Sequence, residues 1–169
     1  DTRLLDALSH TFWFLPSVSS CYAMKNLLME RQNTFFQDYE IIVCAGAEAG
    51  IGVKSLKPVL EKMQNPLKSK SITLSCGKLT TGVTIKPWTG IFMLRNTTSP
   101  ETYFQSAFRV QSPWTIPLEN KNDVNEELIL KKECYVFDFA PNRALRLITD
   151  YSCRLDIDEN NPESKINEF

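Results

Sequence analysis

The chain has 169 residues, of which 43% are hydrophobic and 23% are charged, and this composition predicts one soluble globular domain with its own core. Its 19 basic and 20 acidic residues give a formal net charge of -1, so a nucleic-acid partner would have to be bound by a local patch and not by overall charge. Every apolar run is far shorter than the roughly 18 residues that a membrane span needs, so no membrane partner is expected.

The N-terminus and the cysteines are informative about the cellular location of the protein. Asp1–Asp6 lacks the basic-then-apolar pattern of a secretory signal, and without an initiator Met the chain is predicted to begin inside a longer protein. The five cysteines form no CxxC pair and His10 is the only histidine, so we expect neither a metal site nor a disulfide framework. We therefore predict a reducing, cytoplasmic location and interpret the cysteines as small buried hydrophobic residues.

Strand-like and helix-like segments alternate along the chain. Continuous apolar runs predict strands, and apolar residues at helical spacing predict helices. In chain order the predicted elements are a strand at His10–Pro16, a helix at Cys21–Gln32, a strand at Tyr39–Ala45, a helix at Val53–Met63, strands at Ser71–Cys76 and Gly90–Arg95, a helix at Pro100–Val110, a strand at Glu133–Phe139 and a helix at Asn142–Asp150. Ser17, Ser19 and Ser20 can cap the first helix and Ser99 the third, whereas Pro58 is the weak point of the second.

This order of elements predicts an α/β fold. Strands that are apolar throughout suit a mostly parallel central sheet covered on both faces by helices, which is a three-layer α/β/α arrangement. Trp114–Lys132 reads as a long polar connection, and such a loop is either functional or mobile. Leu155–Phe169 is acidic and Asn-rich, so we interpret it as a linker or tail that follows a domain formed by residues 1–154.

The segment that follows the third predicted strand has features of an anion-binding loop. Gly77 and Gly82 would let backbone N–H groups approach a phosphate closely, and Lys78 adds a positive charge. Open α/β sheets bind ligands beyond the carboxyl ends of their strands, which is where this loop lies. Composition alone, however, favours an ordinary turn with a solvated lysine.

Three segments resemble helicase motifs. Leu79–Pro87 resembles motif V, Gln105-x-x-x-Arg109 resembles motif VI, and Phe12–Ser17 resembles the less specific motif IV. Their order and spacing are similar to those of the second RecA-like domain of superfamily 2 helicases and translocases. The similarity is greatest to the helicase-like subunits of bacterial and phage restriction–modification systems. The resemblance implies a RecA-like domain of an ATP-driven DNA helicase or translocase.

The resemblance also implies roles for individual residues. Arg109, supported by Gln105, would act as an arginine finger on ATP bound by the first RecA-like domain of the same polypeptide. Gly82 and Thr84 would face the nucleotide. The DNA backbone would be contacted by hydroxyl groups and one lysine, namely Ser17, Ser19, Ser20, Lys78, Thr80 and Thr81.

The chain departs from the family pattern in two positions and lacks one set of motifs. Motif VI usually has a second arginine where this chain has Ser112, so either Arg109 acts alone or another arginine comes from elsewhere. Motif V usually has an acidic residue where this chain has Thr84, so the carboxylate that would contact a ribose is missing. The sequence contains no G-x-x-x-x-G-K-[ST] and no Asp-Glu box, so ATP with Mg²⁺ is expected in the full-length enzyme and not on this chain alone.

Two other functions remain open. The domain could be a non-enzymatic module that binds DNA or a partner subunit, because the doubly wound fold serves many functions. A nuclease is less favoured, because the sequence has no cluster of acidic residues and lysine with the character of a metal site. Asp138 is interpreted as a turn or cap residue, Arg143 as part of a solvated helix face, and Trp88 and Trp114 as packing residues.

Overall fold

A computed structural model describes residues 7–46, 53–77, 79, 84–117 and 127–155, without the side chains of residues 53–55, 154 and 155. The elements in chain order are β1 (His10–Phe14), α1 (Val18–Leu28), a first 3-10 helix (Thr34–Phe36), β2 (Glu40–Val43), α2 (Val53–Met63), β3 (Ser71–Ser75), β4 (Gly90–Met93), α3 (Pro100–Ala107), a second 3-10 helix (Phe108–Val110), β5 (Thr115–Pro117), β6 (Glu127–Ile129), β7 (Tyr135–Asp138) and α4 (Pro141–Leu155).

Five strands form one parallel sheet in the order β2-β3-β1-β4-β7. The central strand is β1: His10–Phe14 aligns with Ser71–Ser75 of β3, and Thr11–Phe14 aligns with Gly90–Met93 of β4. The outer pairs, β2 with β3 and β4 with β7, are also parallel. Each connection must therefore return from the carboxyl edge of the sheet to its amino edge. The predicted α/β fold with a mostly parallel central sheet is confirmed.

Helices cover both faces of the sheet. On one face, α1 packs on β2 and β3 and buries Cys21 and Leu28. On the other face, the larger core is completed by buried residues of α2, α3 and α4: Val59, Met63, Tyr103, Phe104, Ala107 and Leu147. Each helix buries its apolar stripe against a strand face, which gives the three layers expected from the sequence.

Trp88 anchors the segment before β4 in the larger core. Its ring stacks on Phe12 with centroids 4.7 Å apart, and its Nε1 donates a hydrogen bond to Thr73 Oγ1 over 3.3 Å. Burial of an indole whose N–H has a partner stabilises the fold without leaving a donor unpaired. Trp88 is thus a packing residue as predicted, while Trp114 is half-buried with its ring edge toward His10.

The face that α1 partly covers also carries a row of aromatic rings. Trp13, Phe92 and Phe137 are aligned on β1, β4 and β7, and all three are half-buried. Ring centroids lie 5.0 Å apart from Trp13 to Phe92 and 4.6 Å apart from Phe92 to Phe137. These cross-strand contacts tie the last strand, β7, to the centre of the sheet.

Helix boundaries differ from the predicted ones where a cap decides them. α1 begins at Val18 and not at Cys21, because Ser17 is extended and its Oγ accepts a hydrogen bond from Ser20 N over 3.1 Å. α2 has the predicted bounds and contains Pro58. α4 continues past the predicted end at Asp150 to Leu155, the first residue of the predicted tail, and the rest of that tail lies outside the described residues.

The prediction of a long unstructured connection at Trp114–Lys132 is wrong. β5 and β6 form an antiparallel hairpin within it, in which Thr115 faces Ile129 and Ile116 faces Leu128. The hairpin is closed at its base by Leu130 N and Lys131 N, which both donate to Trp114 O. The two strands have only three residues each, and strands this short are hard to distinguish from loop in a sequence.

Candidate functional site

The serines predicted to contact DNA lie together beyond the carboxyl end of β1. Ser17 Oγ is within 2.9 Å of Ser19 Oγ and 2.7 Å of Ser20 Oγ, in addition to capping α1. Their position at the carboxyl edge of the central strand is where open α/β sheets bind ligands. The serines are brought together as a helix cap, and their contact with DNA stays a prediction.

The loop that resembles motif V is described only at its two ends. Lys78, Thr80, Thr81 and Gly82 lie outside the described residues. Gly77, which precedes them, has a φ of 146°, and Leu79, between Lys78 and Thr80, has a φ of 65° with its side chain buried in the larger core. A left-handed backbone costs a non-glycine residue about 1 kcal/mol, and burial of the Leu79 side chain offsets it.

After this loop the chain returns across the sheet to its amino edge. Thr84 is exposed, Ile85 is buried, and a turn in which Trp88 N donates to Ile85 O over 3.2 Å leads into β4. Because Trp88 is fixed in the core, the backbone from Ile85 to β4 is held in place. Thr84 therefore stands at the point where the loop joins an anchored segment.

The residues that resemble motif VI lie on α3 and on the second 3-10 helix. Ser99 caps α3 as predicted, since its Oγ accepts from Thr102 N over 3.2 Å. Gln105 is exposed on the last turn of α3. Arg109 is half-buried and its Nε donates to Gln105 O over 3.1 Å. Burial lowers the pKa of Arg109 from its ordinary value, although a guanidinium stays protonated near neutral pH.

Lys131, which the sequence did not single out, joins these two regions. Its Nζ donates three hydrogen bonds of 2.9 Å each, to Lys86 O, Trp88 O and Val110 O. Lys86 O and Val110 O are therefore no farther apart than twice that distance. The backbone beside Arg109 is thus adjacent to the segment that follows the motif V-like loop. Burial lowers the pKa of Lys131 to about 8.

His10 lies at the amino edge of the sheet, near Lys131. Both residues line a cavity of about 930 Å³ at this edge. His10 Nε2 donates to Pro66 O over 2.8 Å, so Nδ1 accepts from the Ser71 hydroxyl over 2.8 Å. Burial lowers the pKa of His10 below 6.5, and the bond to Pro66 opposes that shift. Both ring nitrogens are occupied by hydrogen bonds, so His10 has a structural role at this edge of the sheet.

Asp138 and Arg143 form a buried ion pair at the opposite, carboxyl edge. Arg143 Nη2 lies 2.6 Å from Asp138 Oδ1, and Arg143 Nη1 donates to Asn96 Oδ1 over 3.0 Å. Asp138 Oδ1 also accepts from Ala140 N, so its predicted turn role is confirmed. The interpretation of Arg143 as a solvated residue is wrong, because only 21% of its side chain is exposed. Burial and the nearby Asp138 raise the pKa of Tyr103 to about 12.

The five cysteines differ in burial, and Cys76 is half-buried. Cys21 and Cys44 are buried, and burial raises the pKa of Cys21 to about 12. Cys134 and Cys153 are exposed, so their interpretation as buried hydrophobic residues is wrong. The part of the chain that the structure describes holds no group of three or more His, Cys, Asp or Glu residues arranged for a metal ion. In the same part, no helix combines the length and apolar character needed to cross a bilayer.

The fold and these side chains define an α/β domain with a parallel sheet and an arginine-bearing segment at its amino edge. No protein-family profile matches the chain. It is similar to the C-terminal part of a proposed type II restriction enzyme and methyltransferase, RM.MpnORF110P, from Mycoplasma pneumoniae. The two are 33% identical over 150 residues, which are 88% of this chain and 20% of that protein. The chain is thus related to a restriction–modification protein and spans about a fifth of its length.

Proposed function

We propose that the chain is the second motor domain of an ATP-dependent DNA helicase or translocase that belongs to a restriction–modification enzyme. In this proposal ATP and Mg²⁺ are bound mainly by a first RecA-like domain of the same polypeptide. The present domain then supplies residues to a shared nucleotide site. Closing and opening of the two domains around DNA would drive translocation in the cytoplasm.

One observation carries the proposal, namely the junction between the motif V-like and motif VI-like segments. The first segment follows β3 and the second follows β4, and these strands lie on either side of β1. Although about twenty residues separate the segments in sequence, Lys131 binds the backbone of Lys86 in the first segment and of Val110, the residue that follows the second. A nucleotide presented at this edge could meet residues of both segments at once.

We propose that donors on these two segments bind a polyphosphate. Arg109 is half-buried beside Gln105 O, and a planar guanidinium suits phosphate oxygens in a site from which water is partly excluded. Gln105 is exposed on the preceding turn of α3, and Thr84 is exposed at the end of the motif V-like loop. We assign Arg109 to the γ-phosphate, with Gln105 in support, and assign Thr84 and Gly82 to the nucleotide.

The surface assigned to DNA lies at the carboxyl edge. Ser17 caps a helix whose first-turn N–H groups can bind a phosphate, and Ser19 and Ser20 add hydroxyl groups beside it. Lys78, Thr80 and Thr81 follow the neighbouring strand β3 in sequence and complete the proposed set. All six contacts would be to the DNA backbone, so they position the strand without reading its sequence.

The related protein supports the restriction–modification part of the proposal. Its description names restriction and methylation, and the motor role of the present chain rests on the motifs and on the junction. The proposed role thus lies within the restriction–modification class that the relative indicates.

The proposal is tested with Arg109→Ala and Arg109→Lys in the intact protein that carries both motor domains. We expect each substitution to lower the kcat of DNA-stimulated ATP hydrolysis by about a thousandfold while DNA binding is retained. Arg146→Ala is the matched control, since Arg146 is 83% exposed and makes only a 3.8 Å ion pair with Asp150. Unchanged ATPase in Arg109→Ala would instead favour the non-enzymatic binding module.

A further inference from the structure

We infer that Lys131 is a positioning residue, which fixes the segment carrying Arg109 against the segment that ends the motif V-like loop. The inference rests on the proposed function, because it concerns the placement of the arginine finger. Lys131 follows both motifs in the sequence, and its Nζ bonds to backbone carbonyls and not to side chains of the motifs.

The hydrogen bonds of Lys131 are complete. An ammonium group has three N–H donors, and each of them points to a different backbone carbonyl at 2.9 Å. Val110 ends the second 3-10 helix, and carbonyls at a helix end lack partners within the helix. A positive group at such an end is stabilised by the helix dipole as well as by the hydrogen bond.

The three carbonyl oxygens are held close together by the hydrogen-bond donors of Lys131. They converge on one point, where their partial negative charges would repel one another without a donor. Lys131 supplies three donors to this point, so we expect the converging arrangement to loosen when Lys131 is replaced. Without it, the backbone near Val110 and the turn at Lys86 to Trp88 would separate or admit water.

Lys131 itself is fixed by the hairpin. The backbone N–H groups of Lys131 and Leu130 both donate to Trp114 O. The base of the hairpin therefore holds Lys131 close to the residues that follow the second 3-10 helix. Trp88, on the other side, is buried in the core. Lys131 therefore links a fixed segment of the core to Val110, the residue next to Arg109, and sets the direction from which the guanidinium projects.

The inference predicts an effect on catalysis and not on affinity. An arginine finger acts in the transition state, and a displacement of about 1 Å can reduce the rate by about a hundredfold. Lys131→Met keeps most of the side chain but removes the charge and all three donors. In the intact protein we expect it to lower kcat for ATP by about tenfold or more, with KM for ATP changed less than about twofold.

A double-mutant cycle separates positioning from a general loss of stability. If Lys131 acts through Arg109, the double variant Arg109→Ala with Lys131→Met is no slower than Arg109→Ala alone. Lys132→Met is the matched control, because Lys132 is the exposed neighbour and should change neither kcat nor KM. Lys131→Arg keeps a charge and several donors, and we expect it to recover most of the lost kcat.

Each outcome is decisive. Full activity of Lys131→Met in a protein that Arg109→Ala inactivates would overturn the inference and leave the proposed function intact. A double variant slower by the product of the two single effects would also overturn it. Normal activity of Arg109→Ala would overturn both. If Lys131→Met does not fold, Lys131→Arg with unaltered Tm and a kcat as low as that of Arg109→Ala would count against positioning through charge and donors.

Discussion

Phe92 and Phe137 stack across the neighbouring parallel strands β4 and β7, with ring centroids 4.6 Å apart and an angle of 23° between the ring planes. Phe92 also contacts Trp13 on the central strand, so the two phenylalanines continue a row that begins at β1. Among the strands that the structure describes, β7 lies at the edge of the sheet and pairs with β4 alone. Much of its attachment therefore depends on this stack.

We predict that Phe92→Ala lowers the free energy of unfolding by about 2–4 kcal/mol, because it removes the middle ring of the row. Phe139→Ala is the control: Phe139 is 69% exposed and lies at the end of the same face, so its loss should cost about 0.5 kcal/mol or less. Urea unfolding followed by circular dichroism measures both. Equal effects of the two variants would mean that the stack contributes little.

Ser17 has a role in stability that does not depend on DNA. Ser17→Ala removes the acceptor of the Ser20 N–H, so we expect it to destabilise the domain by about 1 kcal/mol. Ser19→Ala should cost less, since Ser19 is exposed and bonds only to the Ser17 hydroxyl. Thermal unfolding tests the order of the two variants, and the reverse order would show that Ser17 is not the cap.

The buried ion pair at the carboxyl edge gives a third prediction. Asp138→Ala leaves Arg143 largely buried without its partner, so we expect a loss of about 3–5 kcal/mol. Replacing both residues, as Asp138→Ala with Arg143→Met, should cost less than the sum of the single changes. Asp150→Ala, which breaks the exposed pair with Arg146, should cost at most about 1 kcal/mol. Strict additivity at Asp138 and Arg143 would argue against their coupling.

His10 makes the stability of the domain depend on pH. Because burial lowers its pKa below 6.5, the unfolded chain binds a proton at a pH where the folded domain does not. The free energy of unfolding is therefore expected to decrease as the pH falls from 6.5 to the pKa of His10 in the folded domain, by up to about 1.4 kcal/mol per pH unit.

The pH dependence is measured by comparing unfolding of the parent and of His10→Gln between about pH 7.5 and pH 5. Glutamine does not titrate, so we expect a shallower loss of stability in the variant. Since His10 is the only histidine, the difference between the two curves reports this residue alone. Parallel curves would mean that the folded imidazole titrates at its ordinary pKa.

The sequence predicted the parts of the fold that depend on local pattern. Apolar runs located all five strands of the sheet, and Ser99 before Pro100 located the start of α3, because caps and burial act over a few residues. The predicted start of α1 is three residues too late, because any of three serines could cap the helix and the sequence alone does not select Ser17.

The candidate site was less accessible from sequence. Gln105 and Arg109 are predicted from their resemblance to motif VI, whereas Lys131 lies in a segment that the sequence predicts to be a polar connection. Its role depends on three carbonyls that lie 21, 43 and 45 residues away in the chain, and backbone carbonyls have no sequence signature. The solvent exposure predicted for Arg143 is wrong for a similar reason, since its burial depends on Asp138 and on Asn96 in another loop.

The central place of β1 bears on the order in which the domain can be assembled during synthesis. Thr11 pairs with Ile72 on one side and with Gly90 on the other, so β1, which is made before the other strands of this sheet, cannot be completed until β3 and then β4 have been made. Its aromatic and apolar side chains are exposed to aggregation or to chaperones during that interval. A pause in translation once Met93 has left the ribosome would give this strand time to acquire both neighbours before β7 appears.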